Sequence, residues 1–288
     1  MAYLSGRCVW LILLVALCAC QAGPEMRLET ARHIASEARM RERDIPAAPF
    51  LIRAYERVDK PSARTVRVYI EGDGLAWLGR SKPSPDPTPI NPVALSLAHA
   101  DSYPNLVYLA RPCQYNRMKD GAACPDDYWK GARFAPVVID ALNTALDDIK
   151  RRYAFQKMEL IGFSGGAAVA LLLAARRGDV VNLRTVAGVL DTEVFSRIHE
   201  VSPLAQSLNP AGIAGRIATI PQLHFTGSRD ETVPKGVYES FRRATGFSRC
   251  IRHMEVAEAT HESGWAVRWP TLLSEMPACS QTLIGSRG

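Results

Sequence analysis

The sequence predicts an α/β protein, with a mostly parallel central sheet of about eight strands and helices on both faces. Three observations carry this. From about residue 65 to residue 273, short β-branched or apolar runs alternate with longer stretches of helical periodicity, the pattern that builds parallel sheets. Strand runs such as Met158–Phe163 and Leu183–Leu190 are apolar along most of their length, as expected of strands buried on both faces. The chain has 288 residues, 47% hydrophobic and 22% charged, which suffices for one large domain and demands no second.

Thr65–Ile70 is the first strand of the alternating region, and it runs into the turn Glu71-Gly72-Asp73-Gly74. Residues 80–92 hold five prolines, which excludes a helix or a central strand there. Leu106–Leu109 reads as a second buried strand. A long helix is expected over Phe134–Arg152, with Val138, Leu142, Ala145 and Ile149 on one face. Met158–Phe163 is a strand, Ala167–Arg177 an apolar helix, Leu183–Leu190 a strand and Pro221–Thr226 another. A helix is expected after Pro234, a last strand at Ile251–Val256, and a short closing helix over Trp265–Leu273. Residues 80–92 and 191–219 are the two stretches available to cover a site. No internal repeat is visible.

The formal charge of +6 is modest and scattered in short pairs such as Arg151-Arg152. It reads as solvated helix faces, and no nucleic-acid motif accompanies it.

The N-terminus reads as a targeting segment. Arg7 precedes an apolar run from Val9 to Ala19, too short to span a bilayer, which needs about 20 apolar residues. The run ends in Leu17-Cys18-Ala19-Cys20, which resembles the bacterial lipobox, although Cys18 stands where a small residue is commoner. The resemblance implies cleavage before Cys20 and lipidation of its thiol, hence a membrane anchor; a simply cleaved secretory signal and an uncleaved anchor are the other readings. Gln21 after the cysteine implies the outer membrane of a bacterial envelope. Three parts follow: a signal peptide at 1–19, a lipidated N-terminus and tether at 20–60, and a catalytic domain at 61–288. The charged residues from Glu25 to Arg43 fit a helical portion of the tether, or equally an exposed helix packed on the body.

Export leaves Cys113, Cys124, Cys250 and Cys279 in the domain. These allow three pairings. The local set, Cys113–Cys124 with Cys250–Cys279, is preferred because each pair brackets a short stretch beside a strand end. The other reading is four buried thiols.

Gly162-Phe163-Ser164-Gly165-Gly166 has the Gly-x-Ser-x-Gly form of a nucleophile elbow. A strand, Met158–Ile161, precedes it and an apolar helix follows. That context gives weight to a pattern that alone is weak. A serine hydroxyl needs a base to take its proton, and the imidazole that does so needs a carboxylate to orient it. Asp230 lies in Gly227-Ser228-Arg229-Asp230-Glu231-Thr232-Val233-Pro234 at a strand end, and His261 lies in a loop after the last strand.

With these motifs, Thr65 to Leu273 resembles the α/β-hydrolase superfamily. The resemblance implies a triad in the chain order serine, acid, histidine, with no metal or organic cofactor. That order excludes His33 and His99. His199 falls before the acid loop, and His224 and His253 fall inside strands, so His261 is the base. Asp191, one strand earlier, competes with Asp230 as the acid. The oxyanion donors implied are the N–H of Gly165 and the N–H of Asp73, although Glu71 stands where a histidine is common. An ordinary glycine turn is the other reading of residues 71–74. Tyr115 and Trp129 are read as lining an acyl pocket or as core, and Trp265 and Trp269 as core. The substrate class expected is a small-molecule carboxylic ester. A peptidase or thioesterase on the same triad, and a catalytically silent binding protein, are the alternatives.

Overall fold

A computed structural model describes residues 23–79, 81–116 and 124–280. The lipobox, with Cys20, lies outside them. The elements run α1 (Pro24–Glu37), β1 (Arg41–Ala47), β2 (Phe50–Val58), β3 (Thr65–Ile70), α2 (Val93–His99), β4 (Asn105–Leu109), α3 (Pro136–Tyr153) and β5 (Lys157–Phe163). They continue α4 (Gly165–Ala174), β6 (Val180–Val186), α5 (Thr192–Ile198), β7 (Gln222–Gly227), α6 (Lys235–Ala244), β8 (Ile251–Val256) and α7 (Trp269–Ser274). The eight strands form one sheet in the order β1-β2-β4-β3-β5-β6-β7-β8. Strands β3 to β8 are parallel neighbours, and β1 and β2 join antiparallel at one edge.

Side chains on successive residues of a strand point to opposite faces, and the central strands feed two cores accordingly. Val66, Val68 and Ile70 of β3, with Met158 and Leu160 of β5, pack under α3 and α4. Tyr69 of β3, with Ile161 and Phe163 of β5, packs on the other face with α1, α2 and α7. Buried charges on that second face are paired: Arg67 meets Asp101 at 2.8 Å and Glu159 at 2.9 Å. Trp269 donates through Nε1 to the Tyr69 hydroxyl at 2.9 Å, so both α7 and α2, whose end leads into Asp101, are pinned to β3. Trp265 and Trp269 are core, as their spacing suggests.

The tether reading of residues 20–60 is corrected from α1 onward. Residues 41–58 are strands of the sheet and α1 packs on the body. The charged stretch does form a helix over Pro24–Glu37, packed on the body, and only the charges from Glu42 onward are satisfied across the hairpin. Arg43 pairs with Glu56 at 2.6 Å. Arg53, fully buried, is held by Asp44 at 2.6 Å, Glu42 at 3.0 Å and Asn116 at 3.0 Å. A buried guanidinium is tolerated only with partners of this kind. Pro46 fits because β1 is an edge strand.

Two boundaries moved for local reasons. Strand β6 stops at Val186 because Ala187 takes a left-handed conformation, φ 49°, which turns Val189 back to donate to the Ser164 carbonyl at 3.0 Å. The closing helix begins at Trp269, with a 3₁₀ turn over Ala266–Arg268 before it. Helix α2 follows directly on the proline-rich stretch, and its seven residues are too few to show a helical period in the sequence.

Both disulfides take the local pairing, Cys113–Cys124 and Cys250–Cys279. The second closes a loop of 29 residues that contains β8 and His261. Replacing Cys250 and Cys279 together by serine is expected to lower unfolding stability by about 3 kcal/mol in the loop-entropy account, read from urea titration. An unchanged midpoint would show that this loop is held by packing alone.

Candidate active site

Strand β5 ends at Phe163 and α4 begins at Gly165, which leaves Ser164 alone to make the reversal. Its backbone sits at φ 51°, ψ −118°, a conformation that costs a non-glycine residue about 1–3 kcal/mol. The surroundings hold it there. The Ser164 N–H donates to Val186 at 2.9 Å, and its carbonyl accepts from Ala167 at 3.1 Å and Val189 at 3.0 Å. The flanking glycines are required by close approach. A Cβ on Gly162 would overlap the Gly166 carbonyl and Ala167 backbone, and one on Gly166 would overlap the carbonyls of Ile70 and Glu71. These are backbone atoms and cannot yield.

Three loops at the C-terminal ends of the parallel strands meet at this serine. From the loop after β8, His261 Nε2 lies 3.0 Å from Ser164 Oγ. From the loop after β7, Asp230 Oδ2 lies 3.0 Å from His261 Nδ1. An ionised carboxylate only accepts, so Nδ1 carries the hydrogen and the Nε2 lone pair faces the serine. Asp230 is fixed in turn: its Oδ1 accepts from the N–H groups of Thr232 at 2.9 Å and Val233 at 2.8 Å. The two loops also grip each other. Arg229 N–H donates to the Ala259 carbonyl at 3.0 Å, and Glu258 N–H to Ser228 Oγ at 2.8 Å. Trp265 Nε1 donates to the carbonyls of Thr260 and His261 at 2.9 and 3.0 Å, and the His261 ring rests on Phe163 with centroids 5.1 Å apart.

The competing carboxylate, Asp191, has another role. It caps α5, accepting from Glu193 and Val194, and its second oxygen accepts from Ser240 Oγ at 2.7 Å. His224 and His253 lie in the sheet bonded to Thr185 and Thr226. His199 Nε2 meets the Thr232 carbonyl at 2.7 Å, which places that ring behind the acid loop. Trp129 is buried, with its Nε1 donating to the Ser84 carbonyl at 3.1 Å. Tyr115 is buried in the core on the α2 face. Both are therefore packing residues.

Residues 71–74 pass directly beside Ser164. The Gly72 N–H donates to Glu71 Oε1 at 2.9 Å and its carbonyl accepts from Gln114 at 3.0 Å. This commits Gly72 and leaves the Asp73 N–H as the next amide of the turn. Gly165, as the first residue of α4, has no carbonyl one helical turn back in its own helix to bond. The Asp73 carboxylate lies against Gly165, where a Cβ would strike it. Its two oxygens are held by Arg111 at 3.0 Å and Arg133 at 2.7 Å. Burial alone would raise the Asp73 carboxyl, but Arg133 and Arg111 together hold it below the ordinary value. Neither arginine stands out in the sequence as a site residue: Arg111 merely follows the strand run Leu106–Leu109, and Arg133 carries no local signal at all.

Neither any protein-family model nor any curated protein matches the sequence. Solved structures do. An alpha-beta serine hydrolase homologue from Coxiella burnetii superposes with a TM-score of 0.53 at 17% identity, covering 81% of this chain and 94% of that one. An esterase of Pyrococcus furiosus gives 0.57 at 13%, covering 84% and 94%. A serine hydrolase of Xanthomonas campestris without a lid gives 0.50 at 14%, covering 77% and 85%. The chain has the α/β-hydrolase fold. Within that fold, residues 191–219 supply α5 and a 3₁₀ stretch over Pro210–Ile217, and the latter packs on α4 and α6.

Burial pushes the Glu71 carboxyl up to about 7 from an ordinary 4.5. A group whose pKa is raised by folding contributes stability that is fully present below its unfolded pKa and lost as pH rises through the folded one. Wild-type stability is therefore expected to fall between about pH 5 and pH 8 relative to Glu71→Gln, measured by urea unfolding at both values. Parallel profiles would mean that Glu71 does not change protonation on folding.

Proposed function

We propose that the protein is a serine hydrolase that cleaves carboxylic esters through an acyl-enzyme and works at the bacterial envelope, anchored through Cys20. The observation that carries the reading is the continuous relay Asp230–His261–Ser164, with both links at 3.0 Å, ending on a serine held in a strained turn. The esterase and serine hydrolases among the solved structures of this fold support it.

In this reading Ser164 Oγ attacks the ester carbonyl as its proton passes to His261 Nε2. Asp230 stabilises the imidazolium without taking the proton. The N–H groups of Gly165 and Asp73 receive the charge that develops on the carbonyl oxygen. Collapse of the tetrahedral intermediate breaks the bond to the alcohol, which leaves with the proton from His261. Water, deprotonated by the same imidazole, then releases the acid and restores Ser164.

The anchor rests on the lipobox resemblance, and few residues separate Cys20 from the start of α1 at Pro24. At no more than about 3.6 Å per residue, that spacer would keep the domain close to the bilayer.

Labelling with a fluorophosphonate, mapped by mass spectrometry, is expected to modify Ser164 and to be lost in His261→Ala. Ser164→Ala should lower ester turnover by a factor on the order of 10⁴ or more while leaving the unfolding midpoint close to wild type. Ester hydrolysis retained in Ser164→Ala would overturn the assignment. Cys20→Ser should move the protein from the membrane fraction to the soluble periplasmic one; unchanged membrane association would count against the anchor.

A further inference from the structure

A carboxylate beside an oxyanion site is a problem in electrostatics. The amide of Asp73 is suited to receive negative charge, yet its own side chain is negative and rests against Gly165, the residue that carries the other donor. Like charges at such range in a water-poor setting repel strongly. The surroundings answer this with two cations for one anion. Arg111 Nη1 meets Asp73 Oδ1 at 3.0 Å and Arg133 Nη1 meets Oδ2 at 2.7 Å. Three separate segments converge here: the turn after β3, the segment after β4 and the stretch leading into α3.

The arginines are themselves fixed. Arg111 Nη2 donates to the Arg133 carbonyl, and the Arg111 guanidinium lies over the Phe134 ring at 5.2 Å. Arg133 Nε donates to the Lys130 carbonyl at 2.7 Å. Gln114 closes the network, accepting from Arg111 N–H at 2.9 Å and donating to the Gly72 carbonyl at 3.0 Å. The Gly72 carbonyl, which belongs to the same peptide group as the Asp73 N–H, is thus tied to the cluster through Gln114. Arg111 is 4% exposed and already engaged, which argues against a role in gripping substrate.

We propose that Arg111 and Arg133 are positioning residues of the oxyanion site, which neutralise the Asp73 carboxylate and lock the turn that presents the Asp73 N–H to the reacting carbonyl. The proposal rests on the serine-hydrolase reading of the site. It goes further in assigning the cost of the unusual acidic residue, and its remedy, to particular side chains. The effect belongs to the transition state, where the charge exists, and not to the bound ester.

The test is Arg133→Gln in the processed full-length protein, assayed on p-nitrophenyl acetate and on its carboxylate-bearing hemisuccinate analogue. The expected result is a fall in kcat of about 10- to 100-fold on both esters, as for partial loss of an oxyanion donor, with KM within about twofold. Affinity for a trifluoromethyl ketone, which forms the tetrahedral adduct, should weaken by a similar factor. In an Asp73→Asn background the same arginine change should alter kcat by less than about threefold, because the charge it neutralises is gone. Arg111→Gln makes the same test from the other carboxylate oxygen if Arg133→Gln fails to fold.

A folded Arg133→Gln with wild-type kcat overturns the proposal. So does a loss confined to KM for the hemisuccinate, which would make the arginine a substrate ligand, or an equal loss in the Asp73→Asn background. A wild-type protein that neither labels with fluorophosphonate nor hydrolyses either ester overturns the underlying reading before any variant is compared.

Discussion

Ser164 can face His261 only because two backbones pass beneath it at a distance that admits no side chain. Gly162 lies against the Gly166 carbonyl and Gly166 against the carbonyls of Ile70 and Glu71, so the end of β5, the start of α4 and the end of β3 are drawn into one knot. The left-handed serine is held there by the bonds to Val186 and Val189, and the early end of β6 at Ala187 is part of the same closure. The geometry of the candidate site follows from that knot. It raises the hydroxyl above the sheet, puts the first amide of α4 beside it, and brings residues 71–74 within reach.

The site is built from loops, and the loops are rigid because they bond to one another. Asp230 spends one oxygen on its own turn and the other on His261, while the Arg229 and Ser228 contacts to Ala259 and Glu258 bind the Asp230 loop to the His261 loop. Cys250–Cys279 closes the segment that contains His261. On the opposite side of Ser164 stand the carboxyls of Glu71 and Asp73, where the proposed reaction would gain from neutral or positive groups. They are handled differently. Glu71 is driven toward its neutral form by burial, and Asp73 stays charged under two guanidiniums.

The N-terminal hairpin shows how charge can mislead local pattern reading. Arg41-Glu42-Arg43-Asp44 suits an exposed helix by composition, yet Glu42, Arg43 and Asp44 find partners on β2 once the strands pair, and Asp44 also accepts from Asn116. Helix propensity is a weak preference that such long-range pairing overrides. The disulfides went the other way, since short separations beside strand ends leave few geometries, and the local pairing is the one found.

By itself the sequence determined the alternation of strands and helices, hence the parallel sheet, because burial on both faces leaves uninterrupted apolar runs that nothing else explains. It also identified Ser164, Asp230 and His261 as the residues to bring together, because the spacing of glycines around the serine and the position of each acid and imidazole after a strand are local signals. Only the tertiary structure decided what the competing carboxylate does, since that depends on what surrounds it: Asp191 caps a helix and bonds Ser240, while Asp230 faces the His261 ring. It alone brought Arg111 and Arg133 to Asp73, because ion pairing depends on distance in space, and residues 73, 111 and 133 become neighbours only when β3, β4 and α3 have packed.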